Sequence, residues 1–229
     1  MDGILNVNKP KGMTSHDVVI QVRKIFHLKK VGHAGTLDPD ATGVLVVCLG
    51  KATKVVRFLI NDDKEYEAIM VLGVSTDSQD ASGKVLERVK NLEVSETEVR
   101  EAMKRLQGEI EQIPPMLSAV HYKGKRLYQL ARQGRVVERA PRKIKIFSLE
   151  ILAIELPRVN FRVVCSKGTY IRTICADIGE ILGCGAYQAE LVRIRSGSFH
   201  LRDSHTLEEL KKAPRPEDFL LPLNYGRKI

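Results

Sequence analysis

Gly32-His33-Ala34-Gly35-Thr36-Leu37-Asp38-Pro39-Asp40-Ala41-Thr42-Gly43-Val44-Leu45 is the stretch on which the reading of this chain turns. It sets His33, Thr36, Asp38, Asp40 and Thr42 among glycines at 32, 35 and 43, and it runs into Val44 to Cys48, an apolar segment with the composition of a buried strand. Asp38 stands before Pro39. A residue in that position is steered away from helical backbone toward an extended one and is held stiffly. Such a loop can present a carboxylate from the end of a scaffold strand. Spacing alone leaves the commoner alternative open, in which Asp38-Pro39 is simply a turn.

Outward from the loop the elements alternate without a strict βαβ pattern. Gly3 to Asn8 is a short apolar strand, ended by the turn signal Lys9-Pro10-Lys11-Gly12. Thr14, Ser15 and Asp17 open a helix that carries Val18, Val19, Val22 and Ile25 at helical spacing, and Thr53 to Leu59 is a second, short helix. Tyr66, Ala68, Met70 and Leu72 alternate as on a strand. Ser95-Glu96-Thr97-Glu98 is a capping box whose helix Gly108 stops. Leu127 to Gln133 gives a further short helix. Ile144 to Glu155 and Asn160 to Ser166 form two strands joined near Pro157-Arg158. Thr169 to Leu182 is a helix with the apolar stripe Ile171, Ile174, Cys175, Ile178 and Leu182. Ala186 to Ser196 is a last strand and Leu207 to Lys211 a last helix. This mixture favours an α+β (mixed α/β) fold around a largely antiparallel sheet, as a single domain over residues 1–229.

Hydrophobic residues make up 43% of the 229, enough for a sizeable core, and the net charge is +9. From His121 to Lys145 nine basic residues face one acid, Glu138, so that this segment holds nearly all of the excess. Concentration of that kind argues for a polyanionic partner over charge that serves only solubility. Tyr122 and Tyr128 are interleaved with the cations, as stacking groups at an RNA surface would be. The cysteines at 48, 165, 175 and 184 form no Cys-x-x-Cys pair and sit among apolar or small residues, so buried reduced thiols are expected rather than zinc ligands. No apolar run approaches membrane-spanning length and no secretory leader opens the chain. No membrane association and a cytoplasmic location are therefore expected.

The loop from Gly32 to Leu45 resembles the catalytic motif of pseudouridine synthases of the bacterial TruB family, and other stretches resemble that family in order. They are Gly3-Ile4-Leu5-Asn6-Val7-Asn8-Lys9-Pro10 with Gly12-Met13-Thr14-Ser15, then Lys64-Glu65-Tyr66-Glu67-Ala68, then Gln112-Ile113-Pro114-Pro115-Met116-Leu117-Ser118-Ala119-Val120. Ser166-Lys167-Gly168-Thr169-Tyr170-Ile171-Arg172-Thr173 and Gly185-Ala186 with Leu191-Val192-Arg193 complete the series. The resemblance implies a pseudouridine synthase fold. It implies isomerisation of a uridine in tRNA with neither cofactor nor metal: the uracil is detached from C1′, rotated and rejoined through C5.

By the same resemblance Asp38 is the nucleophile, and Arg172 pairs with it and holds it ionised. Tyr66 stacks on the target uracil, Tyr170 and Leu191 line the pocket, and His33 lies at the RNA surface in the space left by the flipped nucleotide. Lys9 supports the pocket or a phosphate, and Asp80 has a supporting role. The basic segment stands where the family has an RNA-gripping insertion, which puts Lys123, Lys125, Arg126, Arg132, Arg142 and Lys143 on phosphates.

Family members often continue into a PUA-type RNA-binding domain, and the residues after Phe219 are too few for one. The expected partner is the T-arm of tRNA, bound by a monomer that needs no protein partner, and the expected target is the T-loop uridine at position 55. A guide-RNA-dependent synthase and a tRNA-binding or tRNA-folding protein without turnover are the competing readings. The first would rely on the missing C-terminal domain. The second has no need of a paired carboxylate facing an anionic ligand.

Overall fold

The computed structural model describes residues 1–226. In chain order its strands and α-helices are β1 (Gly3–Lys9), α1 (Ser15–Ile25), β2 (Val31–His33), β3 (Thr42–Leu49), α2 (Val56–Leu59), β4 (Lys64–Leu72), β5 (Val74–Thr76), β6 (Val85–Arg88), α3 (Glu96–Arg105), β7 (Gly108–Gln112), β8 (His121–Tyr122), β9 (Lys125–Arg126), α4 (Leu127–Ala131), β10 (Arg142–Glu155), β11 (Arg158–Cys165), α5 (Ile171–Ile181), β12 (Ala186–Ser196), β13 (Phe199–His200) and α6 (Leu207–Lys212). They form two compact units, one made of residues 1–67 with the chain from Leu191 onward, the other of residues 68–190.

In the first unit β3 pairs antiparallel with β1, from Gly3↔Leu49 to Lys9↔Gly43, and with β2, from Val31↔Leu49 to His33↔Val47. On its other side it meets β12 in parallel at Val192↔Thr42 and Arg193↔Gly43. Strand β3 is apolar from Val44 to its end because both of its faces are covered. Leu45, Val47 and Leu49 join Leu5, Val7, the valines of α1 and Leu207 and Leu210 of α6 in one core. Val44, Val46 and Cys48 join Ile4, Ala52, Leu59 and Phe199 in another. Helix α1 begins where the sequence placed it: the Thr14 hydroxyl accepts from the Asp17 N–H, and the Asp17 carboxylate accepts from the Thr14 N–H in return. The loop that holds Asp38 is the connection between β2 and β3.

The second unit is built on β10, antiparallel to β11 on one edge and to β7 on the other. Helix α3 opens on the expected Ser95–Glu98 capping box and packs against α5 and β10. Strand β4 carries its period of two without a break, burying Lys64, Tyr66, Ala68, Met70 and Leu72. The sheet is largely antiparallel, as expected. All four cysteines are buried thiols.

The expected helix over 169–182 starts later, at Ile171, because Gly168 takes a left-handed φ of +79° and Tyr170 is extended at its N-cap. The β5–β6 ribbon, β7 and the β8–β9 hairpin gave no periodic signal. Strand β6 is exposed at all four residues, and the β8 and β9 strands are two residues each.

Candidate active site

Asp38 is half-buried, and the backbone around it is tied down peptide by peptide. The Ala34 N–H donates to the Val46 carbonyl at 2.9 Å. The Gly35 and Thr36 carbonyls accept from the Arg193 guanidinium at 3.1 and 3.3 Å. The Ser15 hydroxyl accepts from the Leu37 N–H at 2.8 Å and donates to the Leu37 carbonyl at 3.1 Å. The Asp38 carbonyl accepts from the Ala41 N–H at 3.1 Å, and the Pro39 carbonyl from the Gly12 N–H at 2.9 Å. A loop whose polar backbone is accounted for in this way has few alternative conformations.

Lys9 closes the same loop from the end of β1. It is fully buried, and its Nζ donates to the carbonyls of Pro10, Met13 and Pro39 at 2.9, 2.6 and 3.0 Å. All three N–H groups of the ammonium are thus spent on backbone carbonyls. Burial pushes its pKa down to about 8, against the pull of the nearby Asp38 and Asp40 carboxylates. His33 is half-buried on β2, where burial first and the Arg193 charge second lower its pKa, so the ring is neutral near pH 7. Tyr66 and Leu191, each 8% exposed, are buried in this unit.

In the second unit Arg172 is buried at 5% exposure, although helical spacing placed it off the apolar stripe of α5. That helix is covered on more than one face, so Ile171, Arg172 and Thr173 are all buried in succession. The guanidinium donates to the Leu117 carbonyl at 2.8 Å and meets the Asp80 carboxylate at 3.4 Å. Asp80 is itself fixed by the Ser78 hydroxyl at 2.7 Å, the Ser82 hydroxyl at 2.6 Å and the Ser82 N–H at 3.0 Å. Tyr170 is half-buried, and Gln112 clamps its backbone: the Gln112 amide oxygen accepts from the Tyr170 N–H at 2.8 Å and its NH2 donates to the Tyr170 carbonyl at 3.1 Å.

Lys123, Lys125, Arg126, Arg132, Arg142 and Lys143 are all exposed. The rings of Tyr122 and Tyr128 each have a cation from their own segment over them, Lys123 and Arg132, both 5.5 Å from the ring centroid. A basic surface with half-buried rings can grip phosphates and offer stacking faces.

Sequence reasoning missed Ser15, Gln112 and Arg193 as supports. Each is a polar residue buried to 2% exposure or less that the sequence showed only as part of a helix start or a family motif. Among the described residues no group of three His, Cys, Asp or Glu side chains could hold a metal ion, and no helix is long and apolar enough to cross a membrane.

Residues 23–171 match the family model described as TruB family pseudouridylate synthase, N-terminal domain. The chain belongs to the TruB family of pseudouridylate synthases. Residues 172–225 match a second model, the tRNA pseudouridylate synthase B C-terminal domain. A TruB relative named tRNA pseudouridine synthase B, from Alkaliphilus oremlandii, is 52% identical over 225 residues, covering 98% of this chain and 75% of its own. Another of that name, from Clostridium acetobutylicum, is 53% identical over 220 residues, covering 96% and 76%. Among solved structures, a chain of a Cbf5-Nop10-Gar1 complex superposes with a TM-score of 0.77 at 36% identity, over 97% of this TruB-family chain. The present chain spans 60% of the length of that one. The protein is thus an isomerase with the pseudouridine synthase fold.

Proposed function

We propose that this chain converts the T-loop uridine of tRNA, position 55, to pseudouridine, with Asp38 as the nucleophile. The observation that carries the reading is the Asp38 loop, in which Lys9, Ser15 and Arg193 hold the peptides on both sides of a half-buried carboxylate. A rigid carboxylate in a site closed to water is what a nucleophile at C1′ or on the base requires.

The uridine must first leave the loop stack, at a cost of a few kcal/mol that contacts to the enzyme repay. The C1′–N1 bond then breaks, the uracil turns, C5 bonds to C1′, and the proton on C5 is lost as N1 gains one. Tyr66 supplies the stacking face, Leu191 and Tyr170 line the pocket, and His33 stands at the RNA surface. Arg172 is the guanidinium that keeps the carboxylate ionised. Its support is the rigidity that Asp80 and the Leu117 carbonyl give it. Lys123, Lys125, Arg126, Arg132, Arg142 and Lys143 bind phosphates without reading sequence. In this reading the protein acts as a cytoplasmic monomer, on the T-arm, without a protein partner, cofactor or metal.

Incubation of the purified protein with an unmodified tRNA transcript and no guide RNA, followed by pseudouridine mapping, tests the proposal. Product at the T-loop uridine, abolished by Asp38→Asn with RNA affinity nearly unchanged, is the expected result. Turnover by Asp38→Asn, or product only when a guide particle is added, overturns it.

A further inference from the structure

Arg193 is a buried cation whose charge the loop chemistry described above leaves without an assigned purpose. It lies on β12 and is 1% exposed, one of the two largest fully buried side chains with Lys9. Its Nε donates to the Val44 carbonyl at 2.7 Å, Nη2 to the Gly35 carbonyl at 3.1 Å and Nη1 to the Thr36 carbonyl at 3.3 Å. Every acceptor is a neutral carbonyl, and among the described residues no carboxylate lies within ion-pair distance of the guanidinium. Burying a charge without an opposite charge costs several kcal/mol unless dipoles and a functional need make it good. A neutral donor would serve to tie a loop.

The strand geometry is arranged to admit this side chain. Arg193 is opposite Gly43 in the parallel ladder, and Gly43 takes a φ of +99°. A Cβ at that position would come within 2.3 Å of the Arg193 carbonyl oxygen, so β12 can approach only a glycine there. The guanidinium then reaches under the loop and spans three carbonyls, those of Gly35 and Thr36 before Asp38 and that of Val44 after it. Its planar fork meets each of the three carbonyls with a separate nitrogen, where an ammonium would have to serve all of them from one. Its charge is felt through the loop: it lowers the proton affinity of both Lys9 and His33.

We propose that Arg193 is a positioning residue for the isomerisation, fixing the backbone that aims the Asp38 carboxylate and supplying, from beneath the loop, positive charge that favours its ionised form. The inference rests on the reading of Asp38 as the nucleophile. Arg193 touches no substrate; it acts through the loop.

The test compares single-turnover rates and tRNA dissociation constants for the full-length wild-type protein, Arg193→Met, Arg193→Lys and Arg193→Ala, with a melting curve for each. Arg193→Met keeps a shorter unbranched stem and removes both the charge and the donors; Arg193→Lys keeps the charge and loses the fork. The expected result for Met is a rate about 100-fold lower, as loss of aim costs, with the dissociation constant within about threefold of wild type. The loss for Lys is smaller. In Arg193→Ala, added guanidinium at non-denaturing concentration restores part of the rate and methylammonium restores less. A folded Met variant turning over within threefold of wild type overturns the proposal, as does a loss that appears wholly in affinity. If Met does not fold, the Lys variant decides, and wild-type turnover by it overturns the proposal. Asp38→Asn is run beside them. Turnover by that variant sinks the nucleophile reading itself, whereas its inactivity beside a fully active Arg193→Met sinks only the role of Arg193.

Discussion

Raising the pH from 7.5 to 10.5 should stabilise the wild-type fold relative to Lys9→Met, where a solvated surface lysine would leave the difference flat. Lys9 is fully buried, and burial lowers its pKa from 10.5 to about 8, with Asp38 and Asp40 pulling the other way. The folded pKa lies below the unfolded one. Between about pH 8 and 10.5 the unfolded chain therefore holds a proton that the folded chain has released, and stability rises with pH across that window. The fall in pKa corresponds to about 3 kcal/mol, an upper bound on the gain. Below pH 8 the folded protein keeps the ammonium, and the bonds to Pro10, Met13 and Pro39 offset part of its burial cost.

Urea unfolding of wild type and Lys9→Met at intervals of pH measures this. Other lysines, tyrosines and cysteines titrate in the same range, and the difference between the two proteins cancels them. The wild type should gain on the variant by up to about 3 kcal/mol by pH 10.5. A difference that stays flat with pH, or that moves against the wild type, refutes the account of Lys9 as a buried cation. The neutral amine has two N–H groups for three carbonyls. Pro39 is the carbonyl best able to lose its share, since it also accepts from the Gly12 N–H at 2.9 Å.

Three further outcomes are expected. Ser15→Ala should cost about 2 kcal/mol in urea unfolding, because it strands both the N–H and the carbonyl of buried Leu37, and a loss under about 0.5 kcal/mol would mean water replaces the hydroxyl. Asp80→Asn should lower turnover by up to about 100-fold with tRNA affinity unchanged, since Arg172 keeps the Leu117 carbonyl and loses its charged anchor; an equal loss in affinity would place Asp80 on the RNA instead. Lys123→Gln and Arg126→Gln should each reduce the slope of log affinity against log salt by about 0.7, and a slope unchanged in both would remove them from the phosphates.

What could be read from the sequence follows from what periodicity registers. Tyr66 was legible on its strand because β4 alternates buried and half-buried residues over its whole length. The residues of the Asp38 loop were legible as a group because they are contiguous. What holds that loop was not. Periodicity puts Lys9 in a turn signal at the end of an apolar strand, and only the family resemblance places it at the pocket; Arg193 alternates with apolar neighbours on β12 as a solvent-facing residue would. Arg172 lay off the stripe of its helix, and only the second covered face of α5 buries it. A pattern of apolar residues marks where water is excluded, and it misplaces every cation that backbone carbonyls accommodate inside. In this chain Lys9 and Arg193 are such cations, and both bind the carbonyls that frame Asp38. The residues that carry the proposed chemistry could therefore be found by their neighbours in sequence, while the groups that aim them come from other strands and depend on the fold.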